Sequence, residues 1–228
     1  MFIATLLTDP ARPGLERATV EALRDAWGGG DAVWLDPGVA AEFALDAVPA
    51  NRWEVWAGLQ AMGVDLVVQP RAGRRKRLLV ADMDSTMIAQ ECIDELAAEA
   101  GVGDRVAAIT ALAMNGEIGF EAALRARVAL LEGLPEGVIG TVLARRITMT
   151  PGGATLVATM RANGGHAALV SGGFTAFTGP VAAALGFDEH RANVLGVADG
   201  KLTGTVAEPI LGRAAKVEAL EAIAARLG

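Results

Sequence analysis

Two carboxylates one residue apart, Asp82 and Asp84, follow the apolar run Leu78-Leu79-Val80-Ala81 and precede the hydroxyls of Ser85 and Thr86. A run that short and apolar reads as a strand buried on both faces. Side chains at the carboxyl end of such a strand open into the crevice where α/β folds bind ligands. Adjacent carboxylates there repel one another unless a cation or a shared proton intervenes. A hard divalent cation on oxygen ligands, Mg²⁺ before others, is the simplest resolution. A second chemical group, Ser171-Gly172-Gly173-Phe174, follows the apolar strand Ala167–Val170. A hydroxyl and backbone N–H groups at a strand end, just ahead of a helix N-terminus, make an anion site. Lys216, near the start of the last helical stretch, reads by itself as a solvated lysine.

The segment Asp82-Met83-Asp84-Ser85-Thr86 resembles the first motif of the haloacid-dehalogenase (HAD) superfamily of phosphohydrolases, and the wider stretch through Glu91 and Glu95 is similar to its phosphoserine phosphatase family. The resemblance implies Asp82 as nucleophile and Asp84 as general acid/base, with both at the Mg²⁺ site. A carboxylate is already anionic at neutral pH, and a metal offsets its repulsion from a phosphate. Acting as an acid requires a raised pKa, which burial beside Asp82 supplies. Ser171 and the Gly172 amide match the second motif and would hold phosphoryl oxygens. Lys216 matches the third-motif lysine, which bridges nucleophile and phosphate.

The same resemblance assigns Glu91 to the amino group of an amino-acid substrate and Arg127, within Leu124–Val128, to its carboxylate. Arg125 is the rival arginine. Two positions apart on a helix, the two do not share a face, so one is expected to point inward. Met114 and Phe120 match apolar cap positions that close over the substrate. His166 and His190 receive no role. The implied activity is hydrolysis of O-phosphoserine through an aspartyl phosphate. A phosphotransferase using an acceptor such as homoserine, or a non-catalytic amino-acid-binding or dimerisation protein, are the other readings.

Composition frames this. The 228 residues are 52% hydrophobic with a formal net charge of −7. A sizeable core is expected and broad nucleic-acid binding is not. No apolar run reaches membrane-spanning length. The N-terminus lacks the basic start of a signal peptide, and the one cysteine, Cys92, fits a reducing cytoplasm. The basic cluster Arg71, Arg74, Arg75, Lys76 and Arg77 reads as a solvated linker, with phosphate steering as the alternative.

Residues 1–70 read as a β-α-β-β-α-β unit, the ferredoxin-like pattern: strands at Phe2–Leu7, Asp31–Leu35, Glu42–Leu45 and Val64–Val68, helices at Leu15–Trp27 and Arg52–Met62. The resemblance implies an ACT-like domain with a packing or dimerising role. Residues 71–77 form the linker. From 78 to 228 the pattern is α/β with helical stretches at Gln90–Glu99, Asp104–Met114, Phe120–Leu131 and Pro135–Arg146, and the resemblance implies a HAD-like, Rossmannoid parallel sheet with a helical cap over 89–147. Pro135 suits a first helical position. Ala154–Ala162, His166–Val170, Phe174–Leu185, a strand or two within Asp188–Val197 and Ala214–Leu227 follow, with a hairpin turn at Asp199-Gly200.

The resemblance also carries a fourth motif, Gly-Asp-Gly-x-Asn-Asp, on a strand after the Lys216 helix. The sequence ends at Gly228 without it. The expectation is a catalytic unit short of one metal ligand, with an exposed edge beside Leu78–Ala81. A fragment, a strand donated in trans or an omitted C-terminus would each account for it.

Overall fold

The computed structural model describes residues 1–212 and 214–228. It divides into two compact units, Met1–Lys76 and Arg77–Gly228.

In the first unit β1 (Phe2–Leu7), α1 (Arg17–Ala26), β2 (Val33–Asp36), β3 (Ala40–Leu45), α2 (Arg52–Gln60) and β4 (Asp65–Pro70) follow one another. The strands form one antiparallel sheet ordered β2-β3-β1-β4. Ala4, Leu6, Phe43 and Leu45 from the sheet pack with Val20 and Leu59 from the helices. Gly28 ends α1 with φ +62°, a left-handed conformation cheap for glycine. At Gly29 a β-carbon would come within 2.5 Å of the Phe43 ring, so the turn lies flat on the core. Within the basic cluster, Arg74 makes a two-pronged ion pair with Glu42 of β3 (2.6 and 2.7 Å). That pairing makes it a structural cation rather than a solvated or phosphate-steering one.

The second unit is built on a parallel sheet of β5 (Leu78–Ala81), β6 (His166–Phe174) and β7 (Glu189–Asn193), in that order. Leu78, Leu79 and Val80 are half-buried rather than buried on both faces as the apolar run suggests. The reason is positional: among the described residues β5 pairs with β6 alone and forms one edge of the sheet. Helices α7 (Gly153–Ala162) and α8 (Thr175–Leu185) flank the sheet, and α9 (Ala214–Leu227) sets Ala219 and Ile223 against Ala168 and Val170 of β6.

Between β5 and β6 the chain runs through α3 (Cys92–Glu99), α4 (Gly103–Met114), α5 (Phe120–Ala129) and α6 (Val138–Arg145). The stems of this insert are zipped together. Ala89 N–H donates to the Thr148 carbonyl (2.9 Å) and Thr150 N–H to that of Met87 (3.0 Å). Pro135 does not open a helix. It bridges Lys201, Glu136 N–H donates to the Gly200 carbonyl (2.8 Å), and α6 starts three residues after the proline. The hairpin of β8 (Leu195–Ala198) and β9 (Lys201–Val206) turns at Asp199 (φ +51°) and Gly200 (φ +71°), the two positive φ angles of a type I′ turn. Strand β6 runs four residues past Val170, so Ser171, Gly172 and Gly173 belong to the strand rather than to a turn after it.

Candidate active site

The loop after β5 is shaped by a buried anchor. Met83 is fully buried, and its carbonyl accepts the N–H groups of Thr86, Met87 and Ile88 (2.9–3.2 Å). To close this turn Ser85 takes φ +51°, a conformation non-glycine residues adopt at a cost of order 1–3 kcal/mol. Two bonds hold it there: its N–H to the Gln90 carbonyl (3.1 Å) and its hydroxyl to Glu91 Oε1 (2.7 Å). With Met83 turned inward, Asp82 and Asp84 both face a cavity of about 410 Å³.

Asp82 accepts the Met83 N–H on Oδ1 (2.9 Å) and the Lys216 ammonium on Oδ2. Lys216 stands in the first turn of α9, 134 residues away in sequence. Asp84 accepts the Cys92 N–H on Oδ1 (3.0 Å) and the Ser171 hydroxyl on Oδ2 (3.4 Å). Burial holds its carboxyl above the ordinary range. The Cys92 thiol and amide pull the other way, and the Asp82 charge reinforces the rise. The two carboxylates thus differ in environment: Asp82 is matched to a cation, while burial raises Asp84.

Ser171 is 2% exposed and takes the Gly173 N–H on its Oγ (2.9 Å). Gly172 sits under the Phe120 ring, with a β-carbon position 3.1 Å from Phe120 Cζ. Glu91 and Arg127 also line the cavity, with Ile93, Leu124 and Phe174 as apolar wall. Burial raises the Glu91 carboxyl, against the pull of Ser85 and with a push from Asp84. Burial also lowers the Arg127 guanidinium, against the charges of Asp94 and Glu91. Arg127 Nε donates to the Ala123 carbonyl (3.2 Å) and Nη1 to Thr110 Oγ1 (3.4 Å). Arg125 turns out of the cavity to Glu208 (2.7 Å) and Glu121 (3.2 Å).

Met114 is the exception among the expected site residues. It is 83% exposed at the last position of α4 and does not line the cavity; the inward phase of the helix runs through Val106, Thr110 and Ala113 and turns the next position to solvent. In the other direction, sequence reasoning passes over Cys92. Its amide holds Asp84, and the signal was a helix start eight residues after that carboxylate, where free N–H groups gather.

Asp82 and Asp84 offer hard oxygen donors side by side, the chemistry Mg²⁺ selects. Among the described residues no group of three or more His, Cys, Asp or Glu side chains forms a metal cage. Mg²⁺ does not need one, since it keeps several waters and binds through one or two carboxylates plus substrate phosphate. The donor set fits the ion on those terms.

Residues 79–228 match the model of the haloacid dehalogenase-like hydrolase family. The chain belongs to that family, whose parallel α/β sheet and helices it shares. Over 196 residues it is 42% identical to a phosphoserine phosphatase of Archaeoglobus fulgidus, covering 83% of this chain and 57% of that protein. The chain spans about half the length of the curated relatives it matches (57%, 48% and 41%). A HAD-family hydrolase of Salmonella enterica serovar Typhi superposes on 99% of this chain and 79% of its own, with TM-score 0.83 and 28% identity. A phosphoserine phosphatase structure described as a phospho-aspartyl intermediate analogue matches 67% of this chain and 73% of its own, with TM-score 0.62 and 43% identity.

Proposed function

We propose that the chain carries a Mg²⁺-dependent phosphomonoester hydrolase activity that converts O-phospho-L-serine to L-serine and phosphate through an aspartyl phosphate on Asp82. This is the closing step of serine biosynthesis, and the reading places it in the cytoplasm. The observation that carries it is the pairing at the end of β5. The Asp82 carboxylate is matched to Lys216, and two residues on, the Asp84 carboxyl is raised by burial.

The phosphoryl oxygens are received by the Ser171 hydroxyl, the Gly172 amide and the Lys216 ammonium. A carboxylate oxygen of Asp82 attacks phosphorus as the ester P–O bond breaks, and Asp84 gives its proton to the departing serine oxygen. Asp84, now anionic, takes a proton from a water that attacks the acyl phosphate, which releases phosphate and restores Asp82. Mg²⁺ held by Asp82 and Asp84 would offset charge between carboxylate and phosphoryl group. Lys216 lies where charge grows on the transferring group, the placement that gains most in the transition state. Glu91 meets the substrate ammonium and Arg127 its carboxylate. Phe120, Ile93 and Leu124 keep bulk water from the acyl phosphate.

The first unit, with its β-α-β-β-α-β order and β2-β3-β1-β4 sheet, supports a ferredoxin-like, ACT-like domain that packs or dimerises. No helix among the described residues is long and apolar enough to cross a membrane. The reading needs neither membrane nor nucleic acid, only a small-molecule substrate.

The test is phosphate release from O-phospho-L-serine by the full chain, with and without added homoserine. Mass spectrometry of quenched enzyme locates the phosphoryl group. The reading expects release independent of homoserine and a phosphoryl increment on Asp82, both lost in Asp82→Asn. Release that falls as homoserine becomes phosphorylated would make it a phosphotransferase. L-serine binding by calorimetry without turnover would make it a binding protein.

A further inference from the structure

Asn193, the last residue of β7, is 2% exposed and lines none of the cavity. Its side chain nevertheless ties together two segments that do. Its Nδ2 donates to the Gly172 carbonyl (2.8 Å) and to the Leu211 carbonyl (3.2 Å), and its Oδ1 accepts the Leu211 N–H (2.7 Å). The orientation of the amide is fixed by its partners. Two carbonyls demand the donor end and one N–H demands the acceptor end, so a flipped amide would lose all three bonds. The partners lie 21 and 18 residues away in sequence, so this is a tertiary clamp and not a local turn.

The two segments carry opposite sides of the phosphoryl site. Gly172 follows Ser171 and lines the cavity beside Phe120. Leu211 and Gly212 lead toward α9, and Gly212 and Lys216 line the cavity from that side. Lys216 is otherwise carried on a helix whose buried contacts are Ala219 and Ile223, more than half a turn further along. One side chain therefore sets the span between the phosphoryl cradle and the approach to the lysine.

We propose that Asn193 is a positioning residue for phosphoryl transfer, holding the Gly172 segment and the Leu211–Gly212 segment at the separation that lets Ser171, Gly172 and Lys216 act on one phosphoryl group. This rests on the phosphohydrolase reading above. A displacement of about one methylene is enough to matter, since misplacing a reacting group by about 1 Å costs up to roughly 10²-fold in rate.

Two variants of the full chain test it. Asn193→Gln keeps the donors and the acceptor but moves them by one methylene. Asn193→Ser removes the amide and keeps a single hydroxyl. Hydrogen exchange of residues 208–212 and 171–174 reads the clamp directly, and steady-state turnover of O-phospho-L-serine reads its consequence. We expect faster exchange in both segments with the rest of the unit protected. We also expect kcat to fall roughly tenfold or more with KM within about twofold, and less than about twofold further loss when either variant is added to Lys216→Ala, because the two act through one element. Unchanged exchange at the Leu211 amide overturns the proposal. So does a kcat at the wild-type value in a variant that is merely less stable, or losses with Lys216→Ala that simply multiply. If the wild-type chain hydrolyses no phosphomonoester while exchange at Leu211 still responds to Asn193→Gln, it is the phosphohydrolase reading that fails and the clamp that stands.

Discussion

Gly173 and Asp84 are packed so closely that a β-carbon at position 173 would lie 2.6 Å from Asp84 Oδ2 and 3.1 Å from Ser171 Oγ. The absent side chain is what lets the Asp84 carboxyl reach the Ser171 hydroxyl.

Gly173→Ala is therefore expected to displace the Asp84 carboxylate and lower kcat by roughly 10²-fold, with KM little changed. Gly172→Ala provides the contrast. Its new methyl would meet the far end of the Phe120 ring at 3.1 Å, a neighbour that can turn away, so KM should rise more than kcat falls. Steady-state kinetics on the two variants distinguish these outcomes.

The raised carboxyl of Asp84 has a sign that stability measurements can read. Because the folded state favours the protonated form, the group's contribution is fully present below the ordinary carboxylate pKa of about 4. It is lost as pH rises through the higher folded value. Asp84→Asn removes that ionisation, and its amide can still accept from Cys92 N–H and face Ser171. With divalent ions chelated, the variant should melt higher than wild type at pH 8, and the gain should shrink toward pH 4. It should show no turnover. An equal shift at both pH values would contradict the assignment.

Arg127 and Arg125 separate by environment. Arg127→Ala should raise KM for O-phospho-L-serine by about 30- to 150-fold, the scale of a lost charge-assisted bond of roughly 2–3 kcal/mol. Arg127→Lys should not restore it, lacking the fork. Arg125 makes exposed pairs with Glu208 and Glu121, which solvent screens. Arg125→Ala should leave KM within about twofold of wild type.

Cys92 is 1% exposed, and burial beside Asp84 pushes its thiol strongly up. The thiolate is the reactive form. Iodoacetamide should leave the folded chain unmodified at pH 8 and label it in denaturant. Cys92→Ser keeps both the backbone N–H to Asp84 and a hydroxyl, and should retain turnover within a few-fold.

Some of this architecture is written locally. The runs at Leu78–Ala81 and His166–Val170 are apolar enough to be strands wherever they sit, and Asp199-Gly200 encodes its turn by two residues that tolerate positive φ. Other features depend on distant partners. Pro135 favours a helix start by its own geometry, yet it pairs with Lys201 as an isolated bridge and the helix begins at Val138. Met114 has the character of a cavity residue, yet helix phase and the end of α4 leave it in solvent. The meeting of Lys216 with Asp82 across 134 residues, and the three bonds of Asn193, have no periodicity or spacing to announce them. The first became legible through family resemblance and the second through the fold alone.

The zipped stems at Ala89–Thr148 and Met87–Thr150 mean that the chain leaves the sheet and returns to it through one gateway. Between those stems the insert is tied back a second time, where the Gly133 and Glu136 N–H groups donate to the Leu202 and Gly200 carbonyls of the β8–β9 hairpin. The opening turn of α3, whose Cys92 amide steadies Asp84, travels with the sheet as well. On the reading proposed above, the groups that break the bond and those that choose the molecule sit on separate stretches of polypeptide, and a lineage could revise one while leaving the other intact.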